Sequence, residues 1–481
     1  MLKFSNTYRW PVLYVGFLMM TACWFASDER SNDSKIWSDI ETDLNVRDLN
    51  TILERGKLVV LTQSSTNSYF LFKGEAMGFE YELLSSFAKH LGVELEIKIA
   101  EDINNIFDEL DSGNVDLVAA NLTITSERTQ KMNFTEPFLF SKQVLVQRIP
   151  EKAENSKPLL RNPIDLAGKN IYVHRNSSFY SRLKNLSDEI GGTINIVEAP
   201  GKLDPEQLIQ MVADGHIEYT IADEHIAKLN QGYYSNIDIG MAVSFPQKIA
   251  WACRKDSPLL LRTLNNWLQQ SEQASLLAIL RHKYFKATKV QRERVTSDYS
   301  SLSGGKISPY DDLIKKYSML LGWDWRLIAA QMAQESSFNI NARSWAGAFG
   351  VMQLMPQTAA QFGVDTSSGA EAQIKAGIHY MMWLNTYWEN QIADDEERIK
   401  FVLASYNAGL GHVIDARNLT ENHGGDSTKW DNHVDYYLRN KSASQFQDSE
   451  WVKYGYCRCE EPVEYVQRIM DRYAHYSRLI S

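Results

Sequence analysis

The chain has 481 residues, which is too long for one compact core, so we expect two or three domains. Hydrophobic residues make up 44% of it, which argues against disorder along most of its length. The formal net charge of -10, from 60 acidic and 50 basic residues, provides no basic surface and so disfavours nucleic acid as a partner.

The N-terminus predicts export. Lys3 and Arg9 precede an apolar run that stops before Cys23, so residues 1–22 have the length and charge asymmetry of a signal peptide. An uncleaved anchor helix is the alternative, although the run is short for a membrane span. Thr21 and Ala22 before Cys23 resemble a bacterial lipoprotein cleavage site, with Met20 where leucine is usual. We expect a periplasmic protein attached to the inner leaflet of the outer membrane, either peripherally or through an acylated Cys23.

Cysteine usage excludes a disulfide framework, because only four cysteines occur. Cys457 and Cys459 are too close in sequence for a comfortable bridge. His412, His423 and His433 lie nearby in sequence, but their spacing matches no zinc pattern. We therefore predict no metal and no cofactor.

Residues 23–52 are predicted to form a polar tether, and residues 53–287 an α/β domain. From Gly56 a buried strand (G-K-L-V-V-L-T) is followed by a helix in which Phe79, Leu83 and Phe87 recur at helical spacing. Further strands alternate with helices, and a second round of this rhythm runs from 170–174 to 219–223. Such alternation predicts a parallel sheet with crossover connections.

Three stretches carry a resemblance in this domain: G-F-E-Y-E-L-L (78–84), D-S-G-N-V-D-L-V-A-A-N-L-T-I-T-S-E-R (111–128) and N-F-T-E-P-F (133–138). They resemble the periplasmic amino-acid-binding proteins that serve ABC importers. The resemblance implies two lobes that close over a small amino acid or muropeptide. Arg128 would hold the carboxylate of this regulatory ligand with help from Asn121, Thr123 and Ser178, and Asp223 would hold its ammonium group.

Two alternatives remain for this domain. Asn121 stands where many members of that family have serine, so the identity of the ligand is open. The domain could also be a retained scaffold without a ligand. No nucleophile with its base, metal cluster or phosphate-binding loop occurs in it, so we predict that it is not catalytic.

Residues 288–307 are polar and end in a Ser/Gly cluster, which predicts an inter-domain linker. Beyond it, residues 308–481 carry helical periodicity throughout. We therefore predict a multidomain chain in which the α/β domain is followed by an all-α domain.

Glu335 is the candidate catalytic residue. Ile328, Met332 and Glu335 are spaced by four and three residues, so the carboxylate continues the apolar face of a helix. Burial raises the pKa of a carboxyl group, and a raised pKa is what a general acid needs near neutral pH.

Four ordered motifs carry a second resemblance: E-S-S-F (335–338), S-W-A-G-A-F-G-V-M-Q (344–353), S-Y-N-A-G (405–409) and E-Y-V (464–466). They resemble the lytic transglycosylases of the soluble-lytic-transglycosylase, goose-type-lysozyme-like superfamily. The resemblance implies that Glu335 is the acid/base and that its substrate is the glycan strand of peptidoglycan. It also implies a set of substrate-binding residues around Glu335: the polar neighbours Ser344 and Tyr465, the subsite residues Gln353, Tyr406 and Asn407, and Met352, which packs against them.

The mechanism depends on whether a second carboxylate is present, since glycosidases usually need two. None occurs between Glu335 and Asp365, although a distant one could fold into place. An N-acetyl group on the substrate can replace it. The resemblance implies this route: cleavage between N-acetylmuramic acid and N-acetylglucosamine that closes a 1,6-anhydro ring without water. A hydrolytic muramidase and a non-catalytic peptidoglycan-binding protein are the alternatives.

Overall fold

The computed structural model describes residues 48–150, 158–286, 288–447 and 449–480. The predicted signal peptide, Cys23 and the tether up to residue 47 lie outside the described residues. Among the residues described, none of the helices has both the length and the apolar character that a membrane span requires. A helix, Leu49–Arg55, begins within the last residues assigned to the tether, and its Ile52 is fully buried.

Strands occur only in the N-terminal part of the described chain. In chain order they are β1 (Lys57–Thr62), β2 (Phe70–Phe72), β3 (Glu75–Met77), β4 (Glu94–Ile99), β5 (Leu117–Thr123), β6 (Asn133–Phe134), β7 (Leu139–Ser141), β8 (Gln143–Arg148), β9 (Asn170–Val173), β10 (Asn195–Glu198), β11 (Tyr219–Asp223), β12 (Ile237–Ala242) and β13 (Gln247–Cys253). The helices between them, and just outside them, are Leu49–Arg55, Phe79–Leu91, Ile106–Asp111, Ser126–Lys131, Ser178–Ile190, Pro205–Asp214, Glu224–Gln231, Pro258–Leu268 and Ser271–Arg281.

The strands form a six-stranded sheet in the first lobe, a five-stranded sheet in the second lobe and a separate two-stranded hairpin of β2 and β3. The first lobe has the order β4-β1-β5-β13-β6, with β7 also pairing with β13, and the second lobe has the order β10-β9-β11-β8-β12. In the first lobe β1 is parallel to β4 and β5, whereas β13 runs antiparallel to β5. In the second lobe β9 is parallel to β10 and β11, whereas β8 is antiparallel to both of its neighbours. The predicted parallel pairing is therefore present in both lobes, and β8 and β13 add antiparallel pairs to it.

The mixed pairing has a topological cause. The chain leaves the first lobe between β7 and β8 and returns to it between β12 and β13. After the first crossing, β8 pairs antiparallel with β11 and β12, which come later in the chain. After the second crossing, β13 pairs antiparallel with β5, β6 and β7, which come earlier. The two crossings are the connections between the lobes, and the predicted ligand-binding residues lie on either side of them.

The segment 288–307 is folded rather than extended. It contains the helix Thr288–Val295, and its loop continues against the β2–β3 hairpin. Lys73 donates its backbone N–H to Tyr299 O at 2.9 Å, Ser301 donates to Leu71 O at 2.9 Å, and Ser300 is fully buried. This predicted linker therefore fixes the hairpin instead of leaving a free connection.

The rest of the described chain is helical. Its α-helices are Asp311–Leu321, Trp325–Ser336, Pro356–Gln361, Ala370–Glu389, Asp395–Ala408, Leu410–Asn422, Asp435–Asn440, Ser444–Gln447 and Glu460–Leu479. We call Trp325–Ser336 the acid helix and Glu460–Leu479 the C-terminal helix. These two pack on each other around a continuous apolar core to which Leu71 of β2 also contributes.

A seam joins the two domains where the C-terminal helix lies on the β2–β3 hairpin. Tyr476, fully buried, donates its hydroxyl to Gly74 O at 2.8 Å. Arg472 Nη1 donates to Gly74 O at 2.9 Å and to Glu75 Oε1 at 2.7 Å. A cavity of about 210 Å³ at this seam is lined by residues of both domains, including Gln334, the neighbour of Glu335.

The cysteine pair departs from expectation. The structure joins Cys457 and Cys459 in a disulfide, with Cα atoms 5.2 Å apart. This Cα separation lies within the usual range for disulfides, whereas the sequence spacing of two residues led us to expect that a bridge would be uncomfortable. Cys253 is free and fully buried.

Candidate active site and ligand-binding cleft

The acid helix places Glu335 in its last turn. Asp324 caps the helix start by accepting the N–H of Arg326, and Ile328 and Met332 are fully buried on the face that Glu335 continues. The helix ends at Ser337, whose φ of 48° is left-handed. The turn after Glu335 is therefore abrupt, and its carboxylate lies at the edge of the core.

Burial controls the ionisation of Glu335. Burial, followed by a smaller effect of the negative charge of Glu461, raises the pKa of the carboxyl group from its ordinary value to about 8. A hydrogen bond from Tyr465 acts in the opposite direction because it stabilises the ionised form. At neutral pH Glu335 is accordingly mostly protonated and can donate a proton.

Tyr465 is the direct partner of Glu335. Its hydroxyl donates to Glu335 Oε1 at 2.5 Å and accepts a hydrogen bond from Gln331 Nε2 at 3.2 Å. The Tyr465 side chain comes from the C-terminal helix and is only 2% exposed. Its contact with Glu335 agrees with the role of polar neighbour that the resemblance implied.

A second carboxylate, Glu461, lies near the site and was missed by the sequence analysis. Glu461 precedes Tyr465 by four residues on the C-terminal helix, is exposed, and acts electrostatically on Glu335. Asn407 Nδ2 donates to Glu461 Oε1 at 3.4 Å. The spacing of four residues from Tyr465 was the available signal, since residues four apart share a helix face.

Tyr406 also lies beside Glu335, but its hydroxyl proton is already used in a hydrogen bond within the protein. The Tyr406 hydroxyl donates to Met352 O at 2.7 Å, and burial, followed by the charge of Glu335, raises the pKa of Tyr406. Met352 is itself 1% exposed and packs against Gly377, where an added Cβ would lie 2.7 Å from Met352 Cε. Tyr406 and Met352 thus support the wall of the site.

Gln353 and Ser344 shape the loop that follows the acid helix. Gln353 Nε2 donates to Ala342 O at 3.1 Å and to Gly350 O at 2.8 Å. Ser344 Oγ accepts the N–H of Ala348 at 3.0 Å. Ser344 was predicted to be a polar neighbour of Glu335, and the described hydrogen bonds include none between these two side chains. Trp345 beside it is fully exposed and covers no core.

The five residues that are predicted to hold the small ligand of the α/β domain line one cavity of about 70 Å³ between the lobes. We call this ligand-binding domain the clamp. The five residues are Asn121, Thr123, Arg128, Ser178 and Asp223. The structure therefore brings together side chains that lie up to about a hundred positions apart in sequence. Hydrogen bonds from Asn121 to Asp223 and from Arg128 to Asn176 join the two lobes beside this cavity.

Arg128 bridges the lobes at one side of the cavity. Its Nη1 donates to Thr123 O and its Nη2 to Asn176 O, both at 2.9 Å, and its guanidinium lies 5.0 Å from the Phe107 ring centroid. Burial lowers the pKa of Arg128 to about 10, which still leaves it charged at neutral pH. It can therefore attract an anionic group.

Asp223 faces the cavity from the second lobe and is 3% exposed. Its Oδ2 accepts Asn121 Nδ2 at 2.8 Å, whereas its Oδ1 has no partner among the described residues. Burial raises the pKa of Asp223 to about 7, against the opposing effects of Asn121 and Arg128. A cationic partner would favour the ionised form and occupy the free oxygen.

Three further residues of this cavity were missed. Glu206 reaches across the lobes and accepts Thr66 Oγ1 at 2.5 Å; burial, followed by the charge of Asp204, raises its pKa to about 8. His174 Nε2 and Asn67 Oδ1 are buried and have no hydrogen-bond partner in the described chain. No sequence motif signals them, because their role follows from lobe closure. Across the same described ranges, no group of three His, Cys, Asp or Glu side chains is placed to hold a metal ion.

Comparison with known proteins divides the chain into the same two domains, the α/β domain and the helical domain. The family model described as bacterial extracellular solute-binding proteins, family 3, matches residues 58–287, and the transglycosylase SLT domain matches residues 312–428. A curated protein of Desulfosudis oleivorans named membrane-bound lytic murein transglycosylase F is 32% identical over 96% of this chain and 95% of its own. One of the same name from Haemophilus influenzae is 33% identical over 89% and 86%.

Solved structures match about half of the chain. An amino acid ABC transporter substrate-binding protein from Streptococcus pneumoniae, bound to L-arginine, is 23% identical and covers 50% of this chain and 99% of its own, with a TM-score of 0.43. A likeness at this level carries no argument about the ligand here.

Proposed function

The chain belongs to the family of membrane-bound lytic murein transglycosylases F, and from this premise we propose that Glu335 is the residue that transfers protons in its reaction. The protein is a peptidoglycan lytic transglycosylase with an N-terminal solute-binding domain. The observation that carries the assignment of Glu335 is its raised pKa of about 8, combined with the Tyr465 hydrogen bond at 2.5 Å.

The first step is proton donation. Protonated Glu335 gives its proton to the glycosidic oxygen between N-acetylmuramic acid and N-acetylglucosamine, and the C1–O bond breaks. The acetamido oxygen of the muramic acid stabilises the positive charge that develops at C1. Tyr465 holds Oε1 in place, so Oε2 is available to carry the proton.

The second step returns the proton. Ionised Glu335, now stabilised by the Tyr465 hydrogen bond, takes the proton from the C6 hydroxyl of the same sugar while O6 bonds to C1. A 1,6-anhydro ring forms, Glu335 is protonated again, and no water is consumed.

Glu461 bears on the hydrolytic alternative. A second carboxylate could activate water, but Glu461 is exposed, and its amide partner Asn407 lies 3.4 Å away. Its charge raises the pKa of Glu335, which supports an acid-first mechanism instead. The product mass tests this: anhydro products are lighter by one water than hydrolytic ones, and reducing muramic acid ends would overturn the proposal.

For the clamp we propose a small α-amino acid. Arg128 would take its carboxylate and Asp223 its ammonium group. The cavity between the lobes measures about 70 Å³, which supports a ligand of few heavy atoms such as glycine or alanine. A muropeptide of several residues would require the lobes to open.

Attachment and regulation complete the proposal. The relatives' names place this family in the cell envelope, and we propose export to the periplasm with attachment to the outer membrane through Cys23. Mass spectrometry of the mature N-terminus tests this.

We also propose that the clamp regulates cleavage through the C-terminal helix, because that helix contacts both Glu335 and the β2–β3 hairpin.

A further inference from the structure

A row of aromatic side chains runs along one face of the helix Ala370–Glu389. Tyr380, Trp383 and Tyr387 are spaced by three and four residues, so they lie on one face and span roughly 10 Å of helix. Trp383 is 53% exposed and Tyr387 is 37% exposed. The row is therefore at the surface and is not part of the core.

The row begins at the active site. The Tyr380 ring lies 5.2 Å from the ring of Tyr406, which is the neighbour of Glu335. The Trp383 ring follows, with its centroid 6.0 Å from that of Tyr380 and its plane tilted by only 13°. The two rings are stacked nearly parallel to each other, and the exposed part of Trp383 presents an apolar surface beside the active site.

The exposure of Trp383 has no structural explanation in the packing of this helix. Trp388, five residues later, shows what a core tryptophan does here: it is fully buried and donates Nε1 to Ser405 Oγ at 3.0 Å. A large exposed aromatic surface next to an active site is typical of a binding surface.

Sugar rings fit this surface better than a membrane does. One face of a pyranose ring carries C–H groups and packs on aromatic rings, whereas its hydroxyl groups stay in water. The exposed acids Glu389, Asp394 and Glu396 lie at the far end of the row. They would repel the anionic lipids that attract peripheral proteins.

We propose that Tyr380, Trp383 and Tyr387 form a glycan platform, which binds sugar rings of the peptidoglycan strand beyond those at the cleaved bond. This inference rests on the proposed function. Its consequence is a preference for long strands over short fragments, because only a long strand reaches from Glu335 to Tyr387.

The test compares two substrates in the full-length protein. With purified long glycan strands, the double variant Trp383→Ala/Tyr387→Ala should raise KM about three- to tenfold at unchanged kcat, in line with the usual energy of aromatic contacts. With a tetrasaccharide, both constants should stay within about twofold. Tyr436→Ala removes an aromatic ring of similar exposure, 50%, from another helix and should change neither constant.

Other outcomes overturn the platform. One such outcome is an unchanged KM of the double variant for long strands. Another is an equal loss of catalytic efficiency on long strands and on the tetrasaccharide, because that would indicate a distorted active site. Loss of binding to anionic vesicles with an unchanged KM would assign the row to a membrane instead. Trp383→Phe should retain the parental KM and shows that the site is folded. Failure of the proposed function would look different, because the parent itself would then release no anhydro product.

Discussion

The hydroxyl of Tyr465 donates to Glu335 Oε1 at 2.5 Å, although the two residues are 130 positions apart in the chain. The acid helix supplies the acid and the C-terminal helix supplies the donor. The effects of burial and of this hydrogen bond on the pKa of Glu335 oppose each other. The carboxyl group can therefore exist in both protonation states that the reaction needs.

Replacing the acid should abolish cleavage. Glu335→Gln keeps the shape of the side chain but carries no transferable proton, so we expect kcat to fall by at least about a thousandfold. Binding to isolated peptidoglycan should persist. The rate at which anhydro products appear, followed by mass spectrometry, measures kcat. Co-sedimentation with peptidoglycan measures binding. Activity within tenfold of the parent would contradict the assignment of Glu335.

The pH profile should depend on Tyr465. Protonated Glu335 is fully present well below its pKa of about 8 and is lost as the pH rises through that value, so activity should decline on the alkaline side. Tyr465→Phe removes a hydrogen bond that favours the ionised form. The alkaline limb should therefore move to higher pH, and the rate at pH 7 should fall about tenfold. Tyr473→Phe, which alters a hydroxyl on the same helix bonded to Asp324, should leave the profile in place.

The thermal stability of the protein should also depend on the ionisation of Glu335. The pKa of Glu335 is raised on folding, so its neutral form stabilises the protein fully below about pH 4.5, and this contribution is lost as the pH rises through about 8. Glu335→Gln cannot ionise and should gain in Tm relative to the parent between pH 5 and pH 9. Differential scanning calorimetry across this range measures the gain. A Tm difference that does not vary with pH would show that Glu335 is solvated in the folded state.

The clamp should lose its ligand when either charged group is neutralised. Isothermal titration with alanine should show at least tenfold weaker binding for Asp223→Asn and for Arg128→Ala, because each leaves one end of the amino acid unpaired. Lys184→Ala, an exposed change in the second lobe, serves as the control. Equal binding by all four proteins would refute the site, and tighter binding of a tetrapeptide than of alanine would refute the size argument.

The seam should contribute to stability. Arg472→Ala removes the charged hydrogen bonds to Gly74 O and Glu75, which should cost about 1–3 kcal/mol. Thermal unfolding should occur at lower temperature or separate into two transitions. Arg468→Ala breaks an exposed ion pair with Glu464 on the same helix and should have little effect. An unchanged unfolding curve for Arg472→Ala would mean that the domains are held elsewhere.

Local periodicity was sufficient to predict the two kinds of domain, because strands and helices of this length show their spacing in sequence. It could not predict β8 and β13, since their antiparallel pairing depends on where the chain crosses between lobes. Glu335 and Tyr465 were accessible through motifs. Glu461 belongs to none of the motifs, and its four-residue spacing from Tyr465 was a signal that gains meaning only when the fold brings Asn407 opposite it. The use of the Ser344 hydroxyl within its own loop likewise depends on a turn that periodicity does not reveal.

The contribution of Leu71 to the core of the helical domain has a consequence for protein engineering. Residues 308–481 look like a transplantable unit, but a version of them cut free would lose Leu71 and expose Tyr476. Such a fragment would expose an aggregation-prone apolar surface where the β2–β3 hairpin had been. A chimera built from two relatives should therefore inherit the hairpin and the final helix from the same parent.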